Sequence, residues 1–308
     1  MRRHLIAFVV LLFATRASTD LAAQQARDAR DLQGIWTNGT ATPLQRPPEF
    51  ADKPTLTEEE AAAFEQGGLA RLLKQIPQAD LVTAADLNET YLDTPSMKLA
   101  EGRRTSLIVD PPNGRLPALV PAALKRAEAR PKRSYENPET FTLDERCLLS
   151  TATGGSNATP PVVPNAFGLN FYQIVQTSSH VMIFSELVHD ARVIRIGGQH
   201  PPANVQLWLG DSVGRWEGDT LVVDTTNFSE KFRFRGASER LHVVERFTRT
   251  GPATIRYRVT VDDPDTWSAP WTAEIPFNAT DERIFEFACH EGNYSLGNAL
   301  RAAQLEHK

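Results

Sequence analysis

Two glutamates stand where a β-strand would turn them inward. In 241–247, Leu241, Val243, Glu245 and Phe247 fall on one face and His242, Val244 and Arg246 on the other, because successive strand residues alternate sides. In 180–188, Glu186 shares a face with His180, Met182, Phe184 and Val188. A carboxylate among large apolar side chains is costly unless it is paired or used. If used, burial raises its pKa toward neutrality, the range that suits a general acid or base. If paired, its partner is an arginine of a neighbouring strand. His189, Asp190 and Arg192 follow at a strand end, where side chains can gather at a barrel mouth. His290 follows Cys289 in a glycine-containing turn. The candidate catalytic groups are therefore Glu245, His290, His189 and Glu186. The candidate substrate-binding groups are Arg192, Arg235, Trp216 and His242. Either arginine would stabilise an enolate or a carboxylate. Such a set suits a lyase, isomerase or hydrolase working without a cofactor. Glu186 and Glu245 would also serve glycoside chemistry if their separation fits.

Other chemistries find less support. His189, His242 and His290 with a glutamate could in principle hold Zn²⁺ or Fe²⁺. There is no His-x-His or His-Glu-x-x-His spacing, so no metal is expected. Ser212, in Gly-Asp-Ser, reads as a loop serine without a base. Walker and Gly-x-Gly-x-x-Gly patterns are absent. Trp208, Trp216, Trp267 and Trp271 read as core and rim residues, or in part as a pocket wall for a flat or sugar-like ligand.

These residues need a scaffold, and composition bounds it. The chain has 308 residues, 41% hydrophobic, with 33 basic and 38 acidic residues for a net charge of −5. That is too apolar for disorder. It is too acidic for nucleic acid as the main partner. Met1-Arg2-Arg3-His4 and the apolar run Leu5 to Ala14 form a secretory signal pattern, too short to span a bilayer. Cleavage after Ala23 would give a mature start at Gln24 and a periplasmic or secreted protein, with no membrane contact after cleavage. Cleavage after Ala17 is the alternative. In that compartment Cys147 and Cys289 read as a disulfide. It would close a loop of about 140 residues, worth about 2–5 kcal/mol. Two buried thiols or one reactive thiol are the alternatives.

Thr57-Glu58-Glu59-Glu60 is a capping box opening a helix that carries Phe64, Leu69, Leu72 and Ile76. Residues 104–109 read as a strand, Pro121 to Arg130 as a short helix, and 150–165 as a loop. After residue 168, strand-like runs recur at 171–177, 180–188, 192–197, 220–225, 241–249, 254–261, 271–278 and 283–289. Trp216-Glu217-Gly218-Asp219 reads as a hairpin turn, and Ser295 to Glu306 as a C-terminal helix. Short strands at this spacing indicate an antiparallel sheet closed into a barrel or folded into a sandwich. The expected architecture is mainly β. It is one domain over 24–308, an antiparallel lipocalin-like barrel with peripheral helices and a decorated N-terminal half.

The lipocalin expectation comes from Gly34-Ile35-Trp36 near the mature N-terminus, followed by a β-meander. This order resembles lipocalin-type barrels, in which the tryptophan plugs the closed end. The resemblance implies an interior that holds a small ligand. Longer motifs resemble a family of exported bacterial proteins that brings no activity with it. They are Arg104-Thr-Ser-Leu-Ile-Val-Asp110-Pro111-Pro112, Trp208-Leu-Gly-Asp-Ser212, Gly214-Arg-Trp-Glu-Gly-Asp-Thr-Leu-Val-Val-Asp-Thr-Thr-Asn-Phe228 and Cys289-His-Glu-Gly-Asn-Tyr294.

Two functions follow. One is an exported enzyme using His/Glu acid–base chemistry in a barrel pocket. The other is a non-catalytic binding protein for a small apolar or aromatic ligand. A carrier needs one or two polar anchors in an apolar cup. An enzyme should bring at least three ionisable groups together, with a histidine in reach of a carboxylate.

Overall fold

The computed structural model describes residues 29–67, 98–129, 134–143, 145–149, 159–164, 169–231 and 234–306. The expected signal segment, most of the expected 150–165 loop and the expected helix beyond Gly67 lie outside the described residues.

Period-two alternation builds the molecule. The ten-stranded sheet runs through β1 (Gly34–Thr37), β2 (Ile108–Asp110), β3 (Phe171–Gln176), β4 (His180–Ser185), β5 (Ala191–Ile196), β6 (Asp211–Glu217), β7 (Thr220–Thr226), β8 (His242–Gly251), β9 (Thr254–Asp262) and β10 (Trp271–Ala279). Nine strands close into a barrel in the order β1-β3-β4-β5-β6-β7-β8-β9-β10, with β10 pairing back onto β1. The last residues of β10 hold β1, and its first residues hold β2. β9 pairs one edge of β10 and β2 and β1 take the two ends of the other, which blunts the usual route to edge-to-edge aggregation.

The barrel is mixed rather than purely antiparallel. β5 and β6 run parallel, with Ile194 opposite Ser212 and Ile196 opposite Gly214. A parallel pair needs a crossover of about a dozen residues or more, and 197–210 supplies it. β6 escapes the alternation rule because Gly214 sits in its middle. A Cβ there would meet Ile194 Cγ2 at 2.9 Å and Ile196 Cδ1 at 3.0 Å, so side chains of the neighbouring β5 fill the space that a β6 side chain would need. β6 and β7 join through Gly218-Asp219, with Gly218 at φ +59°, as the hairpin reading expects.

Inward positions are filled by side chains. Trp36, Tyr172, Ile174, Ile183, Val223, Phe247, Tyr257, Ile275 and Phe277 are all buried in one cluster. The rings of Tyr172, Phe247, Tyr257 and Phe277 touch one another at centroid distances of 4.8–6.3 Å. Trp36 donates its indole N–H to Leu32 O at 3.0 Å. The Arg249 guanidinium, 5.7 Å from the Trp36 ring, bonds the carbonyls of Asp31, Gly251 and Pro252. The first strand is thus clamped to the β8–β9 turn.

Helices stay peripheral: α1 (Glu58–Gln66), α2 (Pro121–Glu128), α3 (Cys289–Gly292) and α4 (Tyr294–Glu306). α1 carries the full capping box between Thr57 and Glu60. Cys147 and Cys289 form the disulfide.

Three expected strands are corrected. The run 104–109 forms a strand only over Ile108–Asp110, while Arg104 makes an isolated bridge to Thr55. The run 180–188 stops at Ser185, where a short 3₁₀ turn with Val188 and His189 at positive φ swings the chain away. The run 283–289 is no strand. Its alternation is real, but both edges of β10 are occupied and it finds no partner. It becomes an extended strap that ends in α3.

Candidate functional site

Glu245 points inward from β8 and is fully buried. Arg192 points inward from β5, separated along the wall by β6 and β7, and reaches it across the interior. The guanidinium is bidentate, Nη1 to Oε2 at 2.5 Å and Nη2 to Oε1 at 2.9 Å. Tyr257 donates its hydroxyl to Oε1 at 2.9 Å and accepts from Val162 N–H at 2.9 Å. Burial, then the neighbouring Glu245 charge, push the Tyr257 phenol well above its usual range. The glutamate is therefore paired, the outcome foreseen for an inward carboxylate, although with an arginine from across the barrel. Both carboxylate oxygens of Glu245 are bonded to protein, which fits a structural crosspiece.

A second polar assembly lies on the outer wall. Asp224 on β7 stands opposite Val244 of β8, which makes His242 its diagonal neighbour on the same face. His242 Nε2 lies 2.9 Å from Asp224 Oδ2. The other Asp224 oxygen lies 3.1 Å from His200 Nε2, and His200 Nδ1 lies 2.6 Å from Asp211 Oδ2. Arg195 closes the chain with a bidentate bond to Asp211 at 2.8 and 3.0 Å. The His242 bond, joined by His200 against partial burial, holds the Asp224 carboxyl below its usual range. The same bond, against desolvation, lifts His242 above its own. Burial pushes Asp211 up, but Arg195 and His200 outweigh it and leave it lowered. The network ties the 197–210 crossover to the wall, helped by Asn227, which donates to the carbonyls of Pro201 and Pro202.

A cleft of about 790 Å³ lies outside the barrel. Its floor is the outer face of β1, β3 and β10, through Thr37, Phe171, Pro276 and Asn278. Its outer wall is the strap 280–288, which contributes Glu282, Arg283, Phe285, Glu286 and Phe287. Among the described residues, three bonds hold the strap. Thr280 N–H bonds Ile35 O at 3.1 Å, Phe285 N–H bonds Glu186 Oε1 at 3.3 Å, and His189 Nδ1 lies 3.2 Å from Phe287 O. Beyond the strap the disulfide fastens Cys289 to Cys147, and Asn293 donates to Glu145 O at 2.8 Å.

The eight nominated residues thus divide among separate places. Glu245 and Arg192 meet inside the barrel, and His242 sits in the outer-wall network. Glu186, only 5% exposed, lines the cleft, with His189 holding the strap beside it. His290 is exposed in α3, Arg235 is exposed at φ +49° in a turn after β7, and Trp216 is half-buried under Arg30. Trp267 and Trp271 are core, whereas Trp208 is 42% exposed. Among the described residues, no three of His, Cys, Asp or Glu approach as metal ligands would.

Sequence reasoning missed His200, which stands in a proline-rich crossover without periodicity. Ser212, expected in a loop, lies instead in β6, within a run Gly210-Asp211-Ser212-Val213-Gly214 that spells Gly-x-Ser-x-Gly, a pattern expected to be absent. A nucleophile elbow needs a strand-to-helix turn with an exposed serine. Here Ser212 is buried within β6 and shares a hydrogen bond with Thr225 at 2.9 Å.

Comparison with protein-family models, curated proteins and solved structures found no match.

Proposed function

We propose that the chain is an exported binding protein whose small organic ligand lies in the cleft between the barrel wall and the strap. One observation carries the reading. The cleft has the volume of a drug-sized ligand site, with the aromatic rings of Phe171, Phe285 and Phe287 and several polar side chains on its lining. Among the described residues its lining holds carboxylates but no histidine, so the histidine–carboxylate pair expected of the enzyme is not found there. The disulfide, and the lack among the described residues of any helix long and apolar enough to cross a membrane, are compatible with export. Sequencing the exported protein from its N-terminus tests that part, with Gln24 as the expected start.

The binding test uses an aromatic fluorescent probe, 8-anilinonaphthalene-1-sulfonate. Saturable one-site binding is expected. Asn278→Trp, which fills the cleft from an exposed position of β10, should abolish it, and Phe171→Ala should weaken it about tenfold. Binding that ignores both substitutions overturns the proposal.

The His200–Asp224–His242 chain favours a second reading, acid–base catalysis at the outer wall by a lyase, isomerase or hydrolase. Asp224 would orient His242 as the base. Turnover of any substrate that survives Asp224→Asn and His242→Ala removes this reading.

A further inference from the structure

Resting on the proposed ligand site, we infer that its natural occupant is zwitterionic: an amino acid or short peptide with an aromatic or apolar body. The cleft presents charges of both signs. Arg283, Glu282 and Glu286 all line it from the strap, and among the described residues none of the three makes an ion pair. Lys98 also lines it, but its ammonium is bonded to Glu65 at 2.9 Å. The unpaired guanidinium is a fork suited to a carboxylate. The two strap glutamates suit an ammonium group, which the phenylalanine faces also attract; Glu186 adds a third carboxylate from the barrel side, where its Oε1 accepts from Phe285 N–H.

A ligand of one sign meets like charge from the rest of the strap. An organic acid gains Arg283 and faces Glu282 and Glu286, while an amine gains the glutamates and faces Arg283. A molecule carrying both charges satisfies both sets. Phe171, Phe285, Phe287, Leu99, Leu169 and Pro276 leave its body in apolar surroundings. Thr37 and Asn278 add neutral polar groups on the floor. A bound peptide would be held by side chains rather than as an added strand, because β9 pairs one edge of β10 and β2 and β1 take the ends of the other, leaving only a short stretch around Pro276, which has no N–H to donate.

Three matched probes test this by calorimetric titration of the intact oxidised protein. They are L-phenylalanyl-L-phenylalanine, its N-acetyl derivative and its C-terminal amide. The free dipeptide is expected to bind tightest, and masking either charge to weaken binding about fivefold, the scale of one exposed ion pair. In Arg283→Gln the free dipeptide and the amide should become equivalent. In Glu282→Gln/Glu286→Gln the free dipeptide and the acetyl form should. Equal affinity of all three probes for the unaltered protein overturns the inference. Binding of the fluorescent probe without the dipeptide leaves the cleft as a ligand site but removes the zwitterion. If neither binds, the cleft itself fails as a ligand site.

Discussion

Glu245 shows how one side chain's role depends on a partner that the local sequence does not reveal. Its inward position follows from alternation with Val243 and Phe247. Its pairing with Arg192 does not, since that contact exists only once four strands have curled far enough to face each other. Removing one partner of a buried, hydrogen-bonded pair strands the other charge. Glu245→Gln should therefore cost about 3–5 kcal/mol in urea unfolding, and Arg192→Met/Glu245→Leu should recover most of it. A Glu245→Gln protein as stable as the original contradicts this structural role. His242 and Asp224 give a smaller, pH-dependent effect. His242 has a raised folded pKa, so its contribution is complete below its usual 6.5 and fades as pH rises through the raised value. Asp224 has a lowered one, so its contribution is complete above its usual 3.8 and fades as pH falls through the lowered value. The pair stabilises most between those limits. Asp224→Asn should cost under about 1 kcal/mol near pH 5.5, because both groups are part-exposed. The cost should shrink near pH 9, and an undiminished cost there is the contrary result.

Among the elements, the strap shows where periodicity misleads. Residues 283–289 alternate as a strand does, and the reading fails because a closed barrel has no edge to offer. β6 fails in the opposite sense: Gly214 interrupts its pattern, yet the crossover and the hairpin impose the strand. The other long strands, β4 apart, were legible within a residue or two, because each has one buried and one wetter face. The parallel β5–β6 pair was not, since strand direction depends on the path of 197–210. The strap also gives the disulfide its task. Cys147→Ser/Cys289→Ser should lower global stability by about 2–5 kcal/mol. It should also expose the strap to trypsin at Arg283 well before the barrel unfolds. A strap as resistant as in the oxidised protein would mean that its three hydrogen bonds suffice.

At the scale of the whole molecule, the barrel closes around side chains and sets its cavity on the outside. The expectation of an interior pocket followed from the Gly-x-Trp opening and the β-meander. What local patterning could not convey is how completely Tyr172, Phe247, Tyr257 and Phe277 fill the space between the walls. Nor could it show that the chain returns along the outer face to build a second wall. The candidate site was thus legible in pieces, Glu186 and His189 among them, while the strap that assembles the cleft was read as sheet. The most direct test is amide chemical-shift mapping of the isotope-labelled protein titrated with 8-anilinonaphthalene-1-sulfonate. The account predicts shifts concentrated at Thr37, Phe171, Asn278 and Phe285 to Phe287. Shifts concentrated at His200, Asp224 and His242, or at residues facing the barrel interior, would contradict it.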